Sequence, residues 1–132
     1  MTTELEMLIY ALLLFVVTIL IQVLNGIRVY GMKAMSGTRE DIPAVPPVFQ
    51  GRVNRTITNQ IESLILFAPA VLVADAIGLS TAVTVLGAQL YLAGRVVHAA
   101  AYMFGINHVR TLAFAVAMVG TLMIIGAILG VI

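Results

Sequence analysis

Three observations predict an all-α integral membrane protein built as one four-transmembrane-helix bundle. The 132 residues are 61% hydrophobic and only 10% charged, with a mean hydropathy of +1.10. Soluble domains carry roughly a quarter charged residues, so the natural solvent for this chain is lipid. The apolar residues fall in four runs, each near the roughly 20 residues that a helix needs to cross the hydrocarbon core. The runs do not alternate polar with apolar, as the strands of a membrane barrel would. Residues 1–132 form a single domain in this reading, with spans at about 6–29, 55–77, 81–104 and 109–131.

The first span is free of charge from Met7 to Ile27. It lacks a basic leader and an A-x-A cleavage site, so it reads as a retained helix. The second starts near Thr56 and reaches Ala74, with Glu62 and Pro69 inside it. Pro69 is expected to kink it, which neighbouring helices make tolerable in lipid. The third covers Thr81 to Phe104 and is interrupted by Arg95 and His98. The fourth, Thr111 to Ile132, is uncharged. Between the first two lies a polar loop, Gly31 to Gly51, containing Pro43, Pro46 and Pro47. The turns at Gly78-Leu79-Ser80 and Gly105-Ile106-Asn107-His108 are short, which makes the last three helices sequential antiparallel neighbours.

Four spans put the first and third loops on one side and both termini on the other. Arg28, Lys33, Arg39, Arg52, Arg55 and Arg110 fall on the first side, whereas the second carries Glu4, Glu6 and Asp75 and no Lys or Arg. The positive-inside rule therefore places loops 1–2 and 3–4 in the cytoplasm.

Other classes of chemistry find little purchase. The chain has no cysteine, which excludes disulfides, thiolate metal sites and a cysteine nucleophile. His98 and His108 are separated by a helix end, with no HExxH and no carboxylate cluster, so no metal site is expected. No Ser, His and Asp stand in a recognised triad arrangement. A net charge of +1 gives no reason to expect a nucleic-acid partner.

The informative residues are polar ones inside the spans. Arg52, Arg55, Asn59 and Glu62 fall within an arc of roughly 80° on the second helix. The stripe descends about 10 Å from Arg55 to Glu62 at 1.5 Å per residue. Arg95, His98 and Tyr102 repeat the pattern on the third helix at i, i+3, i+7. Arg110 opens the fourth helix. Arg28 closes the first, with Gln22 and Asn25 a turn or so deeper. Arg28, Arg52 and Arg110 also fit ordinary snorkelling anchors, and Asn59 also fits interhelical glue. Glu62 and Arg95 lie deeper, where a charge costs about 2.5–3.5 kcal/mol on insertion scales. A Glu62–Arg95 salt bridge that merely pins the bundle is one explanation, although such a pair gains little over apolar packing. A cytoplasm-facing cavity lined by both stripes is the other. Its arginines suit an anionic ligand, and Glu62 suits a cationic group on that ligand.

Arg52-x-x-Arg55-x-x-x-Asn59-x-x-Glu62 resembles the second-helix signature of the MAPEG family, the membrane-associated proteins in eicosanoid and glutathione metabolism. Arg95-x-x-His98-x-x-x-Tyr102 resembles that family's third-helix signature, and "PPVF" at 46–49 its approach to the second helix. The resemblance covers essentially the whole chain and is to a bacterial-type member. It implies a homotrimer of four-helix subunits, with glutathione bound between neighbours near the cytoplasmic side. Carried over by position, Arg52, Arg55, Asn59 and Glu62 hold the tripeptide, and Arg95, His98 and Tyr102 complete that wall. Arg28 acts from the neighbouring subunit. The resemblance also implies that Arg110, one residue out of register with some members and so needing a small gap in the short loop, is the catalytic arginine that stabilises the thiolate. Ser63 stands where several members have an aromatic, Phe114 near where some have Tyr, and Pro69 later than in eukaryotic enzymes. These departures leave the second substrate unassigned.

The chemistry fits the implied ligand. Glutathione has two carboxylates for the arginines and an ammonium for Glu62. Its thiol, with a free pKa of about 8.5, is a weak nucleophile until ionised. Arg110 at the positive end of the fourth helix favours the thiolate. The expected activity is that of a membrane-bound glutathione transferase or peroxidase, acting on a lipophilic electrophile or hydroperoxide from the bilayer. The alternatives are a non-catalytic lipid-binding member of the same fold and a small multi-helix transporter gated by a Glu62–Arg95 pair.

Overall fold

The computed structural model describes residues 1–132 and is all-helical. Four long helices and one short one run in the order α1 Thr3–Tyr30, α2 Met32–Ser36, α3 Val48–Ala76, α4 Ala82–Phe104 and α5 Asn107–Ile128. Helices α1, α3 and α5 are long and apolar enough to cross a membrane. Helix α4 falls outside that set, although its bounds match the expected third span within a residue. Its apolar run is interrupted by Gln89, Arg95 and His98.

Local signals set the ends. Thr2 caps α1 by accepting from the Leu5 N–H at 3.3 Å. Glu4 and Glu6 in the first turn of α1 and Arg28 in the last match the sign of the helix dipole. Thr81 and Thr84 form a reciprocal capping box on α4, satisfying two orphan N–H groups. Gly105 ends α4 at φ +75°, a left-handed position that glycine adopts without a Cβ penalty. The polar connection Gly31 to Gly51 contains one helical turn, α2, at Met32–Ser36. Helix α3 starts at Val48, directly after Pro46-Pro47 and seven residues ahead of the expected membrane span. Proline terminates nothing downstream of itself, so a helix begins readily there. Arg52 and Arg55 are consequently on regular helix, and α3 continues through Pro69 to Ala76.

In the bundle α3 and α4 are central and each packs on all three other long helices, while α1 and α5 lie apart. Helices α4 and α5 approach most closely. A Cβ on Gly87 would lie 2.7 Å from the Gly120 carbonyl oxygen, and one on Gly94 2.8 Å from that of Ala113. Small residues allow this backbone contact, the usual basis of association between membrane helices. The core gathers Leu8, Phe67, Val71, Tyr91 and Ile124, with Phe67 stacked on Tyr91 at 3.7 Å between centroids. Leu13, Leu20, Ile65, Leu72, Leu112 and Leu122 point outward and are exposed. Only 30 of 132 residues are buried, an inside-out distribution that water would not tolerate but lipid does.

Glu4, counted with the residues of the terminal side, is buried, accepting hydrogen bonds from Ser80 Oγ at 3.0 and 3.2 Å and from the Thr84 hydroxyl. It ties the start of α1 to the start of α4. Bonds from these two hydroxyls offset part of the cost of removing a carboxylate from water.

Candidate functional site

The α3 stripe and the α4 stripe face each other. Arg95 Nη1 donates to Asn59 Oδ1 at 2.8 Å, joining the two helices at the depth where both motifs overlap. Arg95 is 2% exposed, and its Nε and Nη2 have no hydrogen-bond partner. The expected alternative, a Glu62–Arg95 salt bridge, is therefore not formed. Helical phase puts the two residues on facing sides, but Asn59, one turn nearer the helix start, intercepts the guanidinium. Glu62 is exposed on the surface instead.

His98, also 2% exposed, lies one turn beyond Arg95, and its Nδ1 is likewise unpartnered. Its ring tilts against Tyr102 at 5.6 Å and Phe114 at 6.5 Å. Two guanidiniums come over the Tyr102 ring: Arg110 from α5 at 4.7 Å and Arg55 from α3 at 5.8 Å. Arg52 rests at the loop that ends α4, where a Cβ on Gly105 would sit 2.8 Å from its Cζ. Seven of the nine candidate residues thus converge directly on one region: Arg52, Arg55, Asn59, Arg95, His98, Tyr102 and Arg110.

Two cavities open beside them. One, of about 290 Å³, is lined by Asn59, His98, Tyr102, Arg110, Thr111 and Phe114. The second, of about 140 Å³, continues past the shared residues Asn59 and Phe114 to Glu62, Ser63, Leu66 and Met118. The first is lined mainly by polar groups. The second has Glu62 at its edge and a more apolar floor. Glu62 therefore joins the region through this second cavity.

Arg28 does not join it. Its Nε and Nη2 donate to Asn25 Oδ1 at 3.3 and 3.1 Å. Asn25 Nδ2 donates to Gln50 Oε1, Gln50 Nε2 to the Gln22 carbonyl, and Gln22 Nε2 to Asn54 Oδ1. This amide ladder between α1 and α3 lies on the face of α3 away from Arg55. Its α3 members were not singled out from the sequence, although Gln50 and Asn54 stand at i, i+4. Thr111, Phe114 and Met118 of α5 were also missed as a lining set. Their i, i+3, i+7 spacing marks one helical face, but only the fold shows that this face looks onto Asn59.

The chain also matches a family model. The model for the MAPEG family covers residues 7–130. The chain belongs to the MAPEG family. No curated protein and no solved structure matches it. Membership and three apolar helices make this MAPEG protein a membrane protein. The MAPEG family includes glutathione transferases, glutathione peroxidases and non-catalytic members, so membership points to glutathione or eicosanoid metabolism without fixing an activity.

Proposed function

We propose that this MAPEG protein is a glutathione-dependent transferase or peroxidase that ionises the glutathione thiol for attack on a lipophilic electrophile or hydroperoxide. The observation that carries the reading is the buried Arg95, whose only partner is the neutral Asn59 and whose remaining N–H groups are unpaired. A buried charge without an anion is costly. Arg110 and His98 line a cavity of about 290 Å³ in the same region, and Arg55 reaches over the Tyr102 ring beside it. An anionic ligand suits these cations, and an ammonium on that ligand suits the unpaired Glu62. The residues present therefore fit glutathione.

In this reading Arg52, Arg55, Asn59 and Glu62 of α3 and Arg95 and His98 of α4 bind the tripeptide, with Tyr102 in the same wall. Bound glutathione supplies the nucleophilic sulfur. Arg110, at the start of α5 where the helix dipole is positive, holds the thiol as thiolate. Phe114, Leu66 and Met118 exclude water and receive the apolar co-substrate. Arg28, turned away within its own subunit, acts across a trimer interface. Helix α4 crosses the membrane with the other three, because α3 and α5 shield its polar face, and the basic loops face the cytoplasm.

A transporter gated by a Glu62–Arg95 pair has lost its motive, since Arg95 bonds Asn59. The experiment is titration of purified protein with glutathione, followed by the ultraviolet thiolate band and by conjugation of a generic electrophile. Both signals are expected. Neither signal with lipid bound tightly would establish the non-catalytic reading.

A further inference from the structure

Tyr102 matters through its ring more than through its hydroxyl. Arg110 and Arg55 belong to different helices, carry the same charge, and both come over the Tyr102 ring, at 4.7 and 5.8 Å from its centroid. Neither guanidinium has a carboxylate partner or a hydrogen bond within the subunit to fix it. An arginine near a helix start, half-buried beside a cavity, has several rotamers open to it, and repulsion from Arg55 would favour those pointing away. The negative face of an aromatic ring is the one feature here that attracts a guanidinium. The ring is itself held, because His98, buried and one turn earlier on α4, packs tilted against it at 5.6 Å between centroids.

We infer that Tyr102 is a positioning residue: its ring face holds Arg110 at the cavity in the orientation that stabilises the thiolate. This rests on the glutathione reading proposed above. The charged and titratable groups around Arg110 are Arg55 from α3 and His98 and Tyr102 from α4, with Arg52 at the loop beyond. No acid lines the same cavity, so the ring has no competitor for the guanidinium.

The test is the pKa of the bound thiol, read from the thiolate band against pH at saturating glutathione, so that a change in affinity does not enter. Tyr102→Leu is expected to raise that pKa by about one unit, which corresponds to about 1.4 kcal/mol. Tyr102→Phe keeps the ring face and is expected to restore most of the shift. In an Arg110→Ala background, Tyr102→Leu is expected to add nothing. If Phe behaves as Leu, the hydroxyl carries the effect and the inference is overturned. An equal Tyr102→Leu shift with and without Arg110 also overturns it, because the ring then acts by another route. Loss of the thiolate band in the parent protein would remove both this inference and the glutathione reading. A normal parent band with an unshifted Tyr102→Leu variant removes the inference alone. Should Tyr102→Leu fail to fold, Tyr102→Met serves as the ring-free variant.

Discussion

Helix α3 carries two polar faces, and they differ in the charge they leave unmatched. Toward α1, Gln22, Asn25, Gln50 and Asn54 bond one another in a ladder that also takes up Arg28. Toward α4 and α5, Arg95 makes one bond to a neutral amide, and the Nε and Nη2 of Arg95 and the Nδ1 of His98 have none. Glu62 on the same side of α3 is exposed. Cavity size does not separate the two faces. A cavity of about 300 Å³ adjoins the ladder, lined in part by Gln22, Tyr30, Arg39, Gln50 and Asn54, against about 290 Å³ at Arg110. The difference lies in chemistry. Neutral amides have complementary donors and acceptors and can close on themselves. Arginine and its neighbours here offer donors that the chain does not match with an anion. A closed ladder belongs to the scaffold, whereas an open cluster of charge points to a ligand outside the chain.

The contrast can be broken most sharply at Arg95. Replacing it by methionine of similar volume should lower glutathione affinity by about 100-fold, the scale of losing a buried charged contact. The same change should leave thermal stability unaltered or raised, since an uncompensated buried charge is removed. Isothermal titration and thermal unfolding in detergent check the two halves. A fall in stability with affinity intact would make Arg95 part of the scaffold. On the closed face the expectation reverses. Gln50→Leu leaves Asn25 Nδ2 without its acceptor and should destabilise the bundle by about 1–3 kcal/mol, with glutathione affinity unchanged. Glu62→Gln is the smaller test. Affinity should fall about tenfold, as for loss of a charge-assisted bond of about 1.5 kcal/mol, while the melting temperature stays put because Glu62 has no partner to lose.

Helical phase on α3 placed Arg55, Asn59 and Glu62 on one side, and the same count on α4 placed Arg95, His98 and Tyr102. That was enough to bring the two stripes together. Phase assigns a face to a residue but does not choose its partner. Asn59 and Glu62 lie one turn apart, and the choice between them as the ligand of Arg95 depends on rotamer and interhelical distance. Glu4 was illegible for another reason. Its bonds to Ser80 and Thr84 span 76 and 80 positions, and no periodicity links a first-turn acid to a distant capping box. Helix α4 has the expected bounds because Thr81 and Gly105 mark them. Its polar interruptions keep it out of the set of helices apolar enough to cross a membrane, and two of them, Arg95 and His98, belong to the site.

The central claim is that the open face ionises a thiol. The most direct measurement is the ultraviolet difference spectrum of the purified protein on adding glutathione at neutral pH, compared between the parent chain and Arg110→Ala. A thiolate band that is present in the first and lost or moved to higher pH in the second is the predicted result. A parent protein that binds glutathione with no thiolate band, or an Arg110→Ala variant that ionises it unchanged, would contradict it.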